Sequence, residues 1–180
     1  MNIRLIAGRF GGRTLAVPAT SRTHPMGERI RGSLFNILGE IQGYRVLDAF
    51  AGTGSLGLEA LSRGARQVVF VEKDRIAQRV IAENIAALGV SGSTALIRSS
   101  VSAWHQTGSD ERFDLILVDP PYHDMQLSTV SLLASHLNHN GLMVLSHPGR
   151  ESAPTVNGVV VVDKRSYGDA ALAFYRPETA

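Results

Sequence analysis

The chain has 180 residues, of which 44% are hydrophobic, and its formal net charge is +2. This size and composition predict one globular unit of ordinary core size, and the absence of cysteine excludes disulfides, thiolate zinc sites and cysteine nucleophiles. Because the sequence has no apolar run of roughly 20 residues and no signal-peptide core, we expect a cytoplasmic protein with no membrane partner.

The N-terminal part of the chain is basic. Up to Arg45 it holds seven arginines against two glutamates, whereas the remainder holds 11 basic against 14 acidic residues. Segments 4–7 and 13–17, separated by glycines, predict a hairpin, and Pro25 opens an amphipathic helix. We therefore predict a nucleic-acid-binding extension over 1–43 and a core over 44–180, with a solvated basic surface of no function as the alternative. The candidate phosphate contacts are Arg4, Arg9, Arg13, Arg22, Arg29 and Arg31.

After the extension, strands and helices alternate. This order predicts an α/β fold of the Rossmann-like kind, with a parallel sheet between helices. A final antiparallel hairpin, over 156–163 and 170–176, turns at Tyr167-Gly168-Asp169. The predicted series is strand 45–49, helix 55–63, strand 67–71, helix 74–88, strand 94–98, helix 101–105, strand 113–118, helix 125–137 and strand 141–146.

The first core strand runs into a glycine loop that indicates a ligand. Gly52, Gly54 and Gly57 match the dinucleotide pattern G-x-G-x-x-G, so a nicotinamide-dependent dehydrogenase is one alternative. Asp48 at the end of the strand would repel a pyrophosphate and suits a cationic ligand such as S-adenosylmethionine. Glu72, which ends the next strand, stands where an acid commonly holds ribose hydroxyls.

The tetrapeptide Asp119-Pro120-Pro121-Tyr122 directly follows an apolar strand. Its carboxylate and the Pro120 carbonyl accept hydrogen bonds from an exocyclic amine, the prolines remove competing backbone donors, and the Tyr122 ring offers a stacking surface. The pattern favours a flat base that carries an amine. A tight loop whose Asp119 caps the next element is the structural alternative.

Together these motifs are similar to those of class I S-adenosylmethionine-dependent methyltransferases. More narrowly, the chain resembles the bacterial small-subunit (16S) ribosomal RNA guanine-N2 methyltransferases (the RsmD type), and the similarity covers nearly its whole length. The segments that carry it are 4–8, 29–31, 34–38, 46–54, 57–65, Glu72, 119–122 and 167–169.

The resemblance implies a seven-stranded, mostly parallel sheet with a reversed C-terminal hairpin and a small hairpin-plus-helix extension. It implies S-adenosylmethionine as cofactor, no metal, and a monomer acting on ribosomal RNA in the small subunit or an assembly intermediate. The implied catalytic residues are Asp119, Pro120, Pro121 and Tyr122. The implied cofactor-binding residues are Asp48, Phe50, Ala51, Gly52, Thr53, Gly54, Glu72, Lys73, Ser100 and Asp119.

Some positions depart from the family pattern, and they leave the modified nucleotide open. They are His24, Met26, Gly32, Ser100 and Ser146, the last three standing where the family usually has an acid. An adenine-N6 nucleic-acid methyltransferase and a non-catalytic RNA-binding or ribosome-assembly module are the alternatives. Outside these motifs, we expect Glu59 to form a buried pair or to stabilise its helix, and Asn84 to lie on a helix surface.

Overall fold

The computed structural model describes residues 2–19 and 25–179. The N-terminal extension consists of strand β1 (Ile3–Arg4), its antiparallel partner β2 (Thr14–Leu15) and helix α1 (Glu28–Leu38). Its strands are shorter than predicted: the Leu5 N–H still bonds to the Arg13 carbonyl, but the N–H groups of Ile6 and Ala7 bond to a carboxylate of the core instead of a strand.

The core is an α/β unit built on one seven-stranded sheet, so the predicted fold class is confirmed. The strand order is β5-β4-β3-β6-β7-β9-β8; neighbours from β5 to β7 are parallel, and β9 runs antiparallel to β7 and β8. The elements are β3 (Arg45–Ala49), α2 (Ser55–Ser62), β4 (Gln67–Val71), α3 (Arg75–Leu88), β5 (Thr94–Ile97), α4 (Val101–Gln106), β6 (Phe113–Val118), α5 (Leu127–Leu132), β7 (Leu137–Pro148), β8 (Val159–Tyr167) and β9 (Ala170–Pro177).

Three predicted elements differ clearly in extent. The helix predicted over 125–137 is the short α5, continued by a 3-10 turn at Leu133–His136. The strand predicted over 141–146 is the longer β7, Leu137–Pro148. The first strand of the final hairpin begins at Val159 instead of 156, and its turn lies at 167–170 as expected. The α-helical hydrogen bonds of α5 thus give way to the tighter 3-10 pattern before β7 starts, a common way for helices to end.

The extension and the core share one hydrophobic cluster. Leu5, Leu34 and Phe35 from the extension are almost fully buried in the same cluster as Val46 of β3 and Leu58 of α2. The opposite face of the sheet has its own cluster, which contains Trp104. The division predicted at residue 43 therefore runs through a hydrophobic cluster that the extension and the core share.

Replacement of Gly32 by alanine is expected to stabilise the fold. Gly32 lies inside α1, and a Cβ there would stand 3.5 Å from the Ile6 Cδ1, an ordinary contact. Because glycine inside a helix costs about 1 kcal/mol relative to alanine, the free energy of unfolding should rise by up to that amount. Urea titration measures this change, and a lower midpoint would contradict it.

Gly57→Ala is the matched contrast. Its Cβ would stand 2.4 Å from Phe70 Cε1 and 2.8 Å from Val68 Cγ1, so α2 would have to move away from β4. The same substitution should therefore destabilise at Gly57 and stabilise at Gly32.

Candidate active site

Parallel strands β3, β4 and β6 end at one edge of the sheet, beside β7, and bring the predicted site together. Ala49 pairs with both Val71 and Val118, and Val118 pairs with Leu145. The residues that follow these paired positions are therefore neighbours, as expected for the ligand-binding edge of an open α/β sheet. They are Phe50, Glu72 and Asp119, which follow the three strand ends, and Ser146, which lies inside β7.

The glycine loop after β3 has an unusual backbone. Phe50 has φ 56° although it is not glycine, and Gly52 and Gly54 have φ 59° and 80°. A bulky residue in this region is strained and persists only where its surroundings hold it. The Glu72 carboxylate supplies part of that hold, because it accepts the Gly52 N–H at 2.8 Å and the Asp74 N–H at 2.7 Å.

Asp48 lies beneath this loop and is 1% exposed. Its Oδ2 accepts the Gly57 N–H at 2.9 Å, which ties β3 to the first turn of α2. Burial raises the pKa of Asp48 well above its ordinary value, the Gly57 hydrogen bond opposes that shift, and the charges of Asp119 and Glu72 add to it. These are like charges, so a positively charged ligand end would relieve the site whereas a pyrophosphate would strain it further.

The Asp119 loop stands across the edge from the glycine loop. Asp119 is half-buried and Pro120 is buried, while Pro121 and Tyr122 are exposed. Burial raises the pKa of Asp119 to about 6, and a hydrogen bond with Ser146 opposes the rise. The Tyr122 side chain, 39% exposed, forms a 2.6 Å hydrogen bond between its Oη and the Ser146 Oγ.

The remaining predicted cofactor residues follow the ends of β3, β4 and β5, at the same edge of the sheet. Ala51 and Thr53 are buried in the glycine loop, and Lys73 is exposed beside Glu72. Ser100 follows β5 and caps α4, where its Oγ accepts the Ala103 N–H at 3.1 Å. Ser100 thus has a local structural partner in this structure, and its hydroxyl points to the start of α4.

One predicted RNA contact is wrong. Arg31 is 1% exposed, and its guanidinium donates to Glu59 Oε1 at 2.6 Å and to the Arg4 carbonyl at 2.8 Å, so it does not reach a phosphate. The Glu59 carboxylate also accepts a hydrogen bond from the Arg63 Nε at 2.9 Å, and hydrogen bonds from the backbone N–H groups of Ile6 and Ala7. The expected buried pair of Glu59 is therefore confirmed, and it joins the extension to α2.

The other arginines of the extension that the structure describes are on the surface. Arg4 pairs with Glu28 at 2.7 Å, Arg9 lies over the Phe10 ring at 4.4 Å, and Arg13 donates to the Ala87 carbonyl at 3.1 Å. Arg29 is exposed and borders an open groove of about 550 Å³ along α1. Arg22 and His24 lie outside the described residues.

Asn84 is buried and makes structural hydrogen bonds, so its expected place on a helix surface is wrong. It is 3% exposed; its Oδ1 accepts the Ala16 N–H at 2.7 Å and its Nδ2 donates to the Ala16 carbonyl at 3.1 Å. A longer bond of 3.4 Å reaches the Thr53 carbonyl in the glycine loop. Its spacing of four residues from Val80 puts it on the apolar stripe of α3, which is the signal that would have found it.

Within residues 2–19 and 25–179, no set of three or more His, Cys, Asp or Glu side chains is placed to hold a metal ion. The described helices are also too short or too polar to cross a bilayer.

Comparison with known proteins points to one family. The family model described as conserved hypothetical protein 95 matches residues 3–176. The ribosomal RNA small subunit methyltransferase D of Haemophilus influenzae is 31% identical over 97% of this chain and 93% of its own length. The solved structure of the "Putative methyltransferase yhhF" of Escherichia coli covers all of both chains with TM-score 0.86 and 31% identity.

A more distant likeness concerns the fold alone. The methyltransferase SMU.776, whose structure is complexed with SAH, is similar over 82% of this chain and 48% of its own, with TM-score 0.64 and 15% identity.

Proposed function

Because this chain belongs to the conserved hypothetical protein 95 family, with a ribosomal RNA small subunit methyltransferase D among its relatives, we propose that it methylates small-subunit ribosomal RNA. The methyl donor in this proposal is S-adenosylmethionine, and the acceptor is the exocyclic N2 amine of a guanine. The enzyme would act in the cytoplasm, as a monomer, on the small subunit or an assembly intermediate.

One observation carries the proposal: the carboxylates of Asp48, Glu72 and Asp119 converge on the sheet edge between a strained glycine loop and a proline-tyrosine loop. S-adenosylmethionine fits this set of carboxylates because its ammonium and sulfonium groups are cationic. The dehydrogenase alternative is disfavoured, since a pyrophosphate would add negative charge beside a buried Asp48 whose pKa is already raised.

The proposed cofactor contacts follow from where each group lies. Asp48 and Asp119 are the acids that face the cationic end, and Glu72 stands at the end of β4, where ribose hydroxyls are commonly held. The glycine loop lets backbone approach the ligand closely at the N-terminus of α2. Phe50, Ala51, Thr53, Lys73 and Ser100 border this space as further proposed contacts.

When bound, the cofactor supplies an electrophilic methyl group, so the chain's own task is to hold the acceptor amine in line. Asp119 and the Pro120 carbonyl accept the two N–H groups of the amine, which localises its lone pair and stabilises positive charge growing on nitrogen. Tyr122, with its ring half open to solvent, offers the stacking surface for an unpaired or flipped base. Asp119 then accepts the proton that the methylated amine releases.

The RNA-facing surface is proposed on the extension. Arg4, Arg9, Arg13 and Arg29 are exposed in the structure, and their planar guanidinium groups suit phosphate oxygens. Arg31 is withdrawn from this set, because its guanidinium is bound inside the protein.

The rate of transfer should depend on the ionisation of Asp119. Its pKa of about 6 means that the carboxyl becomes a full acceptor only as the pH rises through that value. We expect kcat/KM for the cofactor to increase from about pH 5 to about pH 7.5 with an apparent pKa near 6. A flat profile over that range would contradict this role.

Stability should change in the opposite sense. A carboxyl whose pKa is raised in the folded state contributes stability below its unfolded pKa, and the contribution is lost as the pH rises through about 6. Unfolding measured across the same buffers separates the two effects.

The proposed function is tested by transfer of a labelled methyl group from S-adenosylmethionine to small subunits purified from cells that lack the enzyme. Naked small-subunit RNA, large subunits and duplex DNA are the parallel substrates. Label confined to small-subunit RNA supports the proposal. Label in DNA would favour the adenine-methylating alternative, and cofactor binding without transfer to any substrate would favour a non-catalytic RNA-binding module.

A further inference from the structure

Ser146 is placed beside Asp119 by the register of the sheet. Val118, the last residue of β6, pairs with Leu145 of β7, so Asp119 just beyond β6 stands next to Ser146, which lies inside β7. Ser146 is 4% exposed, and its Oγ lies 2.6 Å from the Tyr122 Oη. One buried hydroxyl is therefore the neighbour of the proposed acceptor and is bonded to the proposed stacking ring.

The direction of this chain of hydrogen bonds follows from counting protons. An ionised carboxylate only accepts hydrogen bonds, and a serine hydroxyl has a single proton to donate. An arrangement that serves both neighbours has Ser146 donate its proton toward Asp119 and the Tyr122 hydroxyl donate to Ser146, whose Oγ lies 2.6 Å from the Tyr122 Oη. In that order, Tyr122 to Ser146 to Asp119, the charged carboxylate receives a proton donor and the Tyr122 hydroxyl keeps its bond to Ser146.

We propose that Ser146 is a positioning residue for methyl transfer, which locks the Tyr122 ring and the Asp119 carboxylate into one arrangement that receives a single flat base. The inference rests on the proposed function, since it assigns the stacking surface and the acceptor to the same substrate. Tyr122 lies on an exposed loop four residues beyond the end of β6, and its hydroxyl is anchored to β7 through Ser146. A loop ring without that anchor would sample several rotamers, and an acceptor oxygen misplaced by about 1 Å costs up to about 100-fold in rate.

Several titratable groups surround this chain. Asp48 on β3 accepts the Gly57 N–H, and its pKa is raised by the charges of Asp119 and of Glu72, which follows β4. His123 follows Tyr122 on the exposed loop. His147, the next residue on β7, is fully buried and its Nδ1 pairs with the Pro148 carbonyl. A pH profile must therefore be compared between variants and not read from one protein.

The test compares Ser146→Ala, Ser146→Thr and Tyr122→Phe with the double variant. Ser146→Ala should lower kcat about 10-fold to 100-fold with little change in cofactor affinity, and should move the acid limb of the pH profile upward because Asp119 loses a hydrogen bond that favours its charge. Ser146→Thr, which keeps the hydroxyl, should recover most of the rate. The effects of Tyr122→Phe and Ser146→Ala on kcat should be less than additive in the double variant, because both substitutions remove the same hydrogen bond.

Ser128→Ala, at an exposed serine of α5, is the matched control and should change neither rate nor pH profile. Additive effects of the two site substitutions, or a Ser146→Ala enzyme within twofold of the unchanged protein, would overturn the proposal.

A second readout does not depend on RNA. Titration of the Asp119 carboxyl by carbon NMR in the free protein should show a higher midpoint in Ser146→Ala than in the unchanged chain or in Ser146→Thr. An identical midpoint in all three overturns the proposal. An unchanged chain that binds cofactor but methylates no RNA counts against the proposed function, and the titration then decides the role of Ser146 by itself.

Discussion

Asp119→Asn is expected to lower kcat for methyl transfer by about 100-fold to 1,000-fold, with a smaller change in the affinity for the cofactor. Asparagine keeps the shape of the side chain, but it removes the negative charge and turns one acceptor into a donor that faces the substrate amine. The glycine loop is held by Glu72 and by the Gly57 N–H bond to Asp48, neither of which involves Asp119. Steady-state kinetics with subunits as substrate, together with calorimetry of cofactor binding, measure the two effects separately.

Asp124→Asn is the matched control for this substitution. Asp124 lies five residues further on and is exposed. Its substitution by asparagine makes the same change of charge away from the sheet edge. Transfer by Asp124→Asn should stay within twofold of the unchanged protein. An Asp119→Asn enzyme that retains half of its activity would remove Asp119 from the proposed chemistry.

Glu59→Ala is expected to lower the free energy of unfolding by about 3–5 kcal/mol, because it leaves the buried Arg31 without its counter-charge. The same change orphans the backbone N–H groups of Ile6 and Ala7, which have the Glu59 carboxylate as their acceptor. The extension should loosen from α2 together with the loss of stability. Denaturant unfolding gives the magnitude, and hydrogen exchange of the Ile6 and Ala7 amides shows where the structure opens.

Two variants bracket this prediction. Glu83→Ala removes an exposed glutamate of α3 and should change stability by less than about 0.5 kcal/mol. Glu59→Gln keeps one acceptor oxygen and should lower the free energy of unfolding by less than Glu59→Ala does. An extension that remains fully protected in Glu59→Ala would show that the apolar cluster around Leu34 and Phe35 holds it without the carboxylate.

The central fold could be predicted from sequence because its strands are short apolar runs that end in informative residues. Val46–Ala49, Val68–Val71 and Leu115–Val118 are buried on both sides of the sheet, and each is followed by a loop that carries Phe50, Glu72 or Asp119. In a parallel sheet these ends must meet at one edge, so the sequence order already implies the neighbourhood.

The interior polar contacts could not be predicted in the same way. Arg31 resembles its exposed neighbour Arg29 in residue type, and nothing local distinguishes the one that pairs with Glu59 across 28 positions. Asn84 bonds to Ala16, 68 positions away, so its role depends on tertiary packing between α3 and the extension. The Ser146 link to Tyr122 likewise arises from strand register, which residue type alone does not give.

The most direct test of the account is the identity of the nucleoside that receives the methyl group. Small subunits lacking this modification are incubated with the protein and labelled S-adenosylmethionine, and the RNA is digested to nucleosides and separated by chromatography with mass detection. We expect label in N2-methylguanosine that disappears with Asp119→Asn and persists with Asp124→Asn. Label in N6-methyladenosine, or label in N2-methylguanosine that survives Asp119→Asn, would contradict it.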